Sequence, residues 1–394
     1  MDQLAYALVT PYSILKSRTG GVIGRLMALS HLTLVAVRVF VFSDKFVDEY
    51  RQMLSTAEMD PPLTEAWQQY VDENLRRDNP MGLLPRCMLL LFKGPDAVRH
   101  LRQDVIGSFT EQPVGDNVRG TYGDFVRDGN GKIRYFEPAV ITAPSPELTI
   151  EHLRLFAKYS DTDGGIFIGK CKYPPGANIE TSLVILKPDN FEKPTRRAGN
   201  IIDVFSRTGL RIVATKLFNM TVAQAEEFYG PLRKDFVTRL KPNLAQEIHN
   251  RLREAFAFPF TPADAECVAE LLTERNAQTE FNRIVEFMTG VNPDEITDPA
   301  MKQSASRTKC LAMLYEGPDA ITKIRRYLGS TDPTKAEPAT VRSEFGKDLM
   351  RNGAHASDSP ASAKRERKIV GMWSESDPSD VKQIITKHLE GLGK

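Results

Sequence analysis

The chain has 394 residues, 52 of them Lys or Arg and 51 Asp or Glu, for a formal net charge of +1. That length suits two or three domains rather than one core, and the even charge leaves no global field for nucleic acid or an anionic membrane, so any polyanion must be bound locally. Cys87, Cys171, Cys267 and Cys310 show no Cys-x-x-Cys spacing, which argues against a disulfide scaffold and against zinc. Met1 to Thr10 lacks the basic start, apolar middle and cleavage site of a secretory signal. The longest apolar run, Leu32 to Phe42, is broken by Arg38 and too short to cross a bilayer as a helix. The expectation is a soluble, cytoplasmic protein with no membrane contact.

In chain order, Leu4 to Val9 and Leu32 to Phe42 read as strands around a helix from about Gly21 to Ser30. Gly20-Gly21-x-x-Gly24 lacks the Gly-Lys-Ser/Thr ending of a phosphate loop. Phe46 to Leu54 and Thr64 to Leu75 read as helices separated by Asp60-Pro61-Pro62, Cys87 to Phe92 as a strand, and Pro95 to about Val105 as a helix. His152 falls on a helix after Val140 to Ser145 and is expected at that helix's surface. Ser160 to Asn178 is turn-rich and reads as a linker.

The second half repeats the first. Lys93-Gly94-Pro95-Asp96 recurs as Glu316-Gly317-Pro318-Asp319, and Val118-Arg119 as Val341-Arg342, both offset by 223 positions. Thr10-Pro11 stands opposite Lys187-Pro188 at an offset of 177, so the second copy carries 46 extra residues between these landmarks. Its elements are strands at Thr181 to Leu186, Leu210 to Phe218, Lys309 to Tyr315 and Ala354 to Ser357, with helices at about Arg196 to Arg207 and Pro318 to Leu328. Strand, helix, strand, strand, helix, strand is the split βαβ order, with an antiparallel sheet covered on one face by helices. The fold class is α+β: two ferredoxin-like units in tandem, residues 1–160 and 181–394 joined by 161–180. The extra residues, about 241–305, read as three helices. Asn243 begins one with Leu244, Ile248, Leu252 and Phe256 as its stripe, Thr261-Pro262 begins the next, and Phe281 to Met288 forms a third ending at Gly290. Thr221-x-x-Gln224 is a capping box opening the helix before them, and Val381 to Leu392 closes the chain as an amphipathic helix.

The chemistry concentrates at Arg351-Asn352-Gly353-Ala354-His355-Ala356-Ser357-Asp358-Ser359. A near-neutral imidazole there can attack through one ring nitrogen while the other is held, and Ser359-Pro360 reads as a helix start favouring a bound phosphate. Asn-x-x-His-x-Ser-Asp-Ser, from Asn352 through His355 and Ser357 to Ser359, resembles the active-site signature of the nucleoside diphosphate kinases, with Ala356 where that family usually has glycine. Lys187-Pro188-Asp189, Arg325 before Gly329-Ser330-Thr331, Thr340-Val341-Arg342 and Glu366 resemble its other landmarks, in order. The resemblance implies that a nucleoside triphosphate passes its terminal phosphoryl to His355, and that the phosphohistidine passes it on to a nucleoside diphosphate. It assigns Lys187, Arg325, Arg342 and a phosphate-borne Mg2+ to charge neutralisation, Thr331 and Asn352 to phosphate and sugar, and Glu366 to the imidazole. Tyr229 and Phe236 are candidates for the nucleotide wall, their separation one residue shorter than the family's. The first copy has Thr10 for Lys187 and either Ile141 or Thr142 for His355, and so reads as degenerate.

The implied partners are ATP and other nucleoside di- and triphosphates, with the tandem acting as a pseudo-dimer within a homo-oligomer. A nucleotide-binding scaffold without turnover is the rival reading, supported by the inert first copy. A nucleic-acid module is disfavoured because no basic stripe interleaves with aromatics.

Overall fold

The structure, a computed structural model, describes residues 2–55, 60–107, 116–374 and 379–392. It divides into two compact units, one of Met1–Phe218 with Leu311–Lys394 and one of Asn219–Cys310.

The first unit opens with β1 (Gln3–Val9), α1 (Pro11–Leu15), α2 (Thr19–Ser30), β2 (Thr33–Phe40), α3 (Asp44–Leu54), α4 (Pro61–Leu75) and β3 (Cys87–Gly94). The chain continues through α5 (Ala97–His100), which runs on as a wider turn to Ile106, then α6 (Val118–Tyr122), the hairpin β4 (Asp124–Arg127) and β5 (Ile133–Glu137), β6 (Val140–Ile141) and α7 (Pro146–Asp163). The second half has β7 (Ile179–Leu186), α8 (Arg197–Ser206) and β8 (Arg211–Phe218). After the other unit's α9 (Val222–Leu252) and α10 (Pro262–Thr289) come β9 (Cys310–Pro318), α11 (Ala320–Leu328), α12 (Val341–Phe345), β10 (Ala354–Ala356), α13 (Pro360–Ile369) and α14 (Asp380–Leu392).

The two large sheets run β2-β3-β1-β6 and β10-β7-β9-β8. Counted within its own half, each places its strands in the order second, third, first, fourth, which is the ferredoxin-like arrangement twice over. The strands arise where apolar and β-branched residues cluster, and their period of two sorts the side chains. On β1, Ala5, Ala7 and Val9 enter one core while Leu4, Tyr6 and Leu8 enter another. The first sheet is therefore buried on both faces, whereas one helical layer was expected. α3, α4, α7 and the carboxy-terminal α14, through Val381 and Ile385, supply the second layer. The hairpin β4–β5 has no counterpart in the sequence reading, because its residues are mostly exposed and carry little apolar periodicity. The closing amphipathic helix α14 packs on the first half.

The other core is shared. It joins α2, β1 and β3 of the first half to β7, α8 and β9 of the second without interruption. Close approach of α2 and α8 makes this possible, and the glycines of the phosphate-loop look-alike explain it. A Cβ on Gly20 would lie 2.5 Å from the Asp203 nitrogen and 2.6 Å from the Gly199 oxygen, and one on Gly199 would strike Gly20 and Gly24 backbone. Gly199→Val should thus force the helices apart and cost about 1–3 kcal/mol or more. The expected result is a lower urea midpoint, while Gly230→Ala, whose added Cβ meets nothing within 4 Å, should leave it unchanged or higher.

The second unit is a helical pair. α9 begins at the expected capping box of Thr221 and Gln224, but continues through Pro231 and Pro242 to Leu252, and α10 is one helix from its own capping box at Thr261. Two long helices replace the separate shorter ones expected. Each interior proline removes a backbone bond, and the packing of Ala245 and Ile248 on Ala265 and Ala269 holds the pair. Between Leu272 and Phe281 no glycine or proline stops α10.

Candidate active site

β10 pairs antiparallel with β7, so that Ala354 faces Leu186, His355 faces Ile185 and Ala356 faces Val184. Ala354 and Ala356 point into the shared core, and strand alternation therefore turns His355 and Ser357 to the opposite face. There they meet one carboxylate. His355 Nε2 lies 3.0 Å from Glu366 Oε2, and the Ser357 hydroxyl donates to the same oxygen at 2.7 Å. Glu366 projects back from α13, whose start is capped by Ser359 accepting from the Ser362 N–H. Its side chain is 5% exposed against 21% for His355, so the carboxylate is sheltered and the ring reaches the surface.

A second group lies around the residue that precedes β10. Gly353 takes a φ of +82°, a backbone conformation open to glycine, and its carbonyl accepts from the Lys187 N–H at 3.1 Å and from Asn190 Nδ2 at 2.7 Å. Lys187 Nζ donates to Asn352 Oδ1 at 2.7 Å and to the Met350 carbonyl at 2.9 Å. Asn352 Nδ2 donates to the Thr331 carbonyl at 3.1 Å. Arg342, on α12, donates to the Gly329 carbonyl at 3.1 Å and the Thr331 hydroxyl at 3.2 Å, and reaches the Ala354 carbonyl at 3.5 Å. Lys187, Asn352, Thr331 and Arg342 thus form a continuous chain of contacts ending at the Ala354 carbonyl, one residue before His355. Asp358, three residues on, is held below the usual carboxylate range mainly by Ser362, then Ser359, with the charge of Arg325 on α11 contributing.

Tyr229 and Phe236 lie on α9, in the helical unit. Tyr229 is buried against the Phe228 ring, centroids 5.0 Å apart, and Phe236 is half-buried.

The sequence reading missed what fastens the Lys187 loop. Arg197 donates to Asn190 Oδ1 and Asp189 Oδ2, each at 2.8 Å, and to the Phe345 carbonyl at 2.5 Å. Burial pushes the Asp189 carboxyl up, with Arg197 and Lys187 pulling the other way. The one available signal was Asn190 itself, a turn-forming residue just after Lys187-Pro188.

The family model described as Nucleoside diphosphate kinase matches residues 180–244 and 235–373, both in the second half. A nucleoside diphosphate kinase of Bdellovibrio bacteriovorus is 30% identical over 48% of this chain and 90% of its own length. That of Symbiobacterium thermophilum is 30% identical over 51% of this chain and 91% of its own. A solved Aquifex aeolicus nucleoside diphosphate kinase aligns with 51% of this chain and 99% of its own at 28% identity, with a TM-score of 0.32.

The chain belongs to the nucleoside diphosphate kinase family. It is a phosphotransferase, moving the terminal phosphoryl of a nucleoside triphosphate to a nucleoside diphosphate.

The first half of this kinase repeats the backbone pairing of the site with other residues in place of the lysine and the histidine. Ile141 pairs with Leu8 as His355 pairs with Ile185, and the Thr10 N–H donates to the Ala139 carbonyl as the Lys187 N–H does to Gly353. Of the two candidates, Ile141 and not Thr142 stands in the histidine's place. Arg119 mirrors Arg342, donating to the Gly107 carbonyl at 2.6 Å and the Val140 carbonyl at 3.3 Å. Buried Glu137 lies beside Thr10, accepting from its hydroxyl at 3.0 Å, from Tyr70 at 2.9 Å and from the Ala139 N–H at 2.9 Å.

His152 lies seven residues after its helix cap, as Glu366 does. It was expected at the helix surface, yet it is fully buried, because Thr149, His152, Leu153 and Phe156 form the inner stripe of α7. Its Nδ1 lies 2.7 Å from the Tyr6 hydroxyl, and burial drives its pKa from 6.5 down to about 3. A depressed folded-state pKa contributes stability above about pH 6.5 that is lost as pH falls toward 3, at up to about 1.4 kcal/mol per pH unit. Urea unfolding between pH 6 and 4 should therefore show a shallower acid decline for His152→Phe than for wild type. Equal slopes would remove His152 from the account.

Proposed function

We propose that His355 is the phosphoryl carrier of this kinase and that turnover is ping-pong through its phosphohistidine. The observation that carries the reading is the contact between His355 Nε2 and Glu366 at 3.0 Å, with Ser357 on the same carboxylate oxygen. A carboxylate accepting the Nε2 proton fixes the tautomer that puts the lone pair on Nδ1, so Nδ1 attacks the terminal phosphorus and the nucleoside diphosphate leaves. Glu366 then stabilises the positive charge that develops on the ring, and Ser357 keeps the carboxylate aimed. The second diphosphate attacks the phosphohistidine by the reverse path.

Phosphoryl transfer depends on in-line placement and charge neutralisation more than on covalent help. Arg342 offers a planar two-pronged donor to phosphate oxygens, and Arg325 and Lys187 add charge. Thr331 and Asn352 supply neutral hydrogen bonds to phosphate and sugar. Tyr229 and Phe236 are the candidates to wall the base.

Lys187, Arg325, Arg342, Thr331 and Asn352 are cationic or neutral and suit phosphate oxygens rather than a metal cage. Mg2+ would be carried by the nucleotide phosphates and would add charge neutralisation there.

Residues 1–160 act as a degenerate copy, 161–180 as a linker and 181–394 as the catalytic domain, its helical insertion lying at about 241–305. The shared core of the two halves suits an internal pseudo-dimer, on which a homo-oligomer would be built. Among the described residues no helix is long and apolar enough to cross a membrane, and the reading places the enzyme in the cytoplasm.

The test is incubation with terminally radiolabelled ATP. Acid-labile, base-stable label that leaves on addition of a nucleoside diphosphate is the expected result. Folded, nucleotide-binding protein that never takes up label would favour a scaffold.

A further inference from the structure

At the seam of the two halves lies a cavity of about 40 Å³ that the kinase reaction does not use. It is lined by Thr19 and Gly20 from the first turn of α2, Arg86 ahead of β3, Arg211 opening β8 and Tyr315 on β9, with Ser17 on its exposed side. That space fits roughly three water-sized centres, or one phosphoryl group.

Ile14, Ile202, Leu210 and Ile212 complete the wall, and the charged groups among the lining are both cationic and incompletely answered. Arg86 is 7% exposed. Its Nη1 donates to the Ile212 carbonyl at 2.5 Å, and its buried Nε has no hydrogen-bond partner. Among the described residues neither Arg86 nor Arg211 is ion-paired with a carboxylate. The nearby acid, Glu316, is wholly buried and already accepts from the Gly169 N–H at 2.7 Å and the Tyr173 hydroxyl at 3.0 Å. Burial pulls the Arg86 pKa down and Arg211 pushes the same way, while Cys171, Tyr173 and Glu316 oppose them. Two guanidinium groups against a single nearby carboxylate leave positive charge unmatched at the seam, which is costly where one of them is desolvated.

Backbone donors add to this. α2 starts without a side-chain cap, so its first N–H groups need acceptors, and Gly20 puts no side chain over them. The opposing end of α8, at Ser206, competes little for the site. The carbonyls of Val204, Phe205 and Ser206 already accept from the N–H groups of Arg207, Thr208 and Gly209.

We propose that this cavity binds a phosphate-class oxyanion, held by Arg86, Arg211 and the first turn of α2, and so clamps the two halves of the kinase together. The ligand is either free inorganic phosphate or the phosphoryl end of a larger molecule. Since both halves contribute donors, the bound ion stabilises their contact as any ligand of the folded state does.

The experiment measures thermal unfolding of the full chain against rising inorganic phosphate, with potassium chloride at matched ionic strength as the reference. Wild type should gain stability from phosphate beyond chloride. In Arg211→Met the phosphate concentration giving half that gain should rise by about tenfold or more, with kinase turnover unchanged. Arg86→Gln should act the same way, but it also loses the bond to Ile212, so Arg211→Met carries the decision. A parallel titration with glucose 6-phosphate, a phosphate monoester that is not a nucleotide, separates the sources. An Arg211-dependent gain from phosphate identifies the free ion, and one seen with the monoester alone identifies a larger phosphorylated molecule. Equal gains in wild type and Arg211→Met, or no gain over chloride with either ligand, overturns the site.

Discussion

His355→Ala should lower phosphoryl-exchange turnover by about 10⁴-fold or more, the scale on which loss of a covalent nucleophile is felt. No substitute stands ready, because the corresponding position of the first half is Ile141 and the imidazole nearest it in sequence, His152, is fully buried. The variant should still fold. Glu366 keeps the Ser357 hydroxyl at 2.7 Å and Arg365 at 3.6 Å, so truncating the ring does not strand a buried carboxylate. A coupled assay read beside a thermal scan decides the matter. More than about 1% of wild-type turnover at an unchanged unfolding midpoint would mean that the phosphoryl travels without this imidazole.

Arg342→Met comes next, with an expected loss of about 10²–10³ in kcat/KM, comparable to removing one preorganised charged donor from a phosphoryl-transfer site. This guanidinium also has a structural task, since it holds the Gly329 carbonyl and the Thr331 hydroxyl at 3.1 and 3.2 Å. About 1–3 kcal/mol of stability should be lost with it, as part-buried hydrogen bonds from a charged donor are removed. Arg342→Lys separates the tasks, because lysine restores the charge and not the planar fork. It should regain some stability and little activity. Full activity in Arg342→Lys would show that charge alone is required.

Much of the site was legible because its residues are crowded along the chain. Asn352, His355, Ser357 and Glu366 fall within 15 positions, where strand alternation and helix periodicity dictate which side chains share a face. Lys187 was legible only through its resemblance to the family, and its partners were not. Asn190 and Arg197 act through contacts with Gly353 and Phe345, more than 140 residues away, which no local pattern encodes. The α9–α10 pair was misjudged for a related reason. Proline and a polar stretch weaken a helix locally, and packing along the whole pair outweighs that weakness.

The glycines show the same division. Gly20 and Gly24 hint at a phosphate loop when read along the chain and prove, with Gly199 of α8, to be points where two helix backbones meet.

What the sequence determined alone is the order of the main sheet strands, the absence of a lysine and a histidine at the matching positions of the first half, and the crowding of Asn352, His355, Ser357 and Glu366 in the second. These follow from residue type, short-range period and the internal repeat, and the roles proposed for the residues follow from the family resemblance. The tertiary structure decided that the two halves share one core, that Glu137 and His152 are buried in the first half, and that Arg86 and Arg211 line one cavity at the seam. Those outcomes depend on which faces are brought together across the chain, and burial and charge act there on distance in space, which residue spacing does not record.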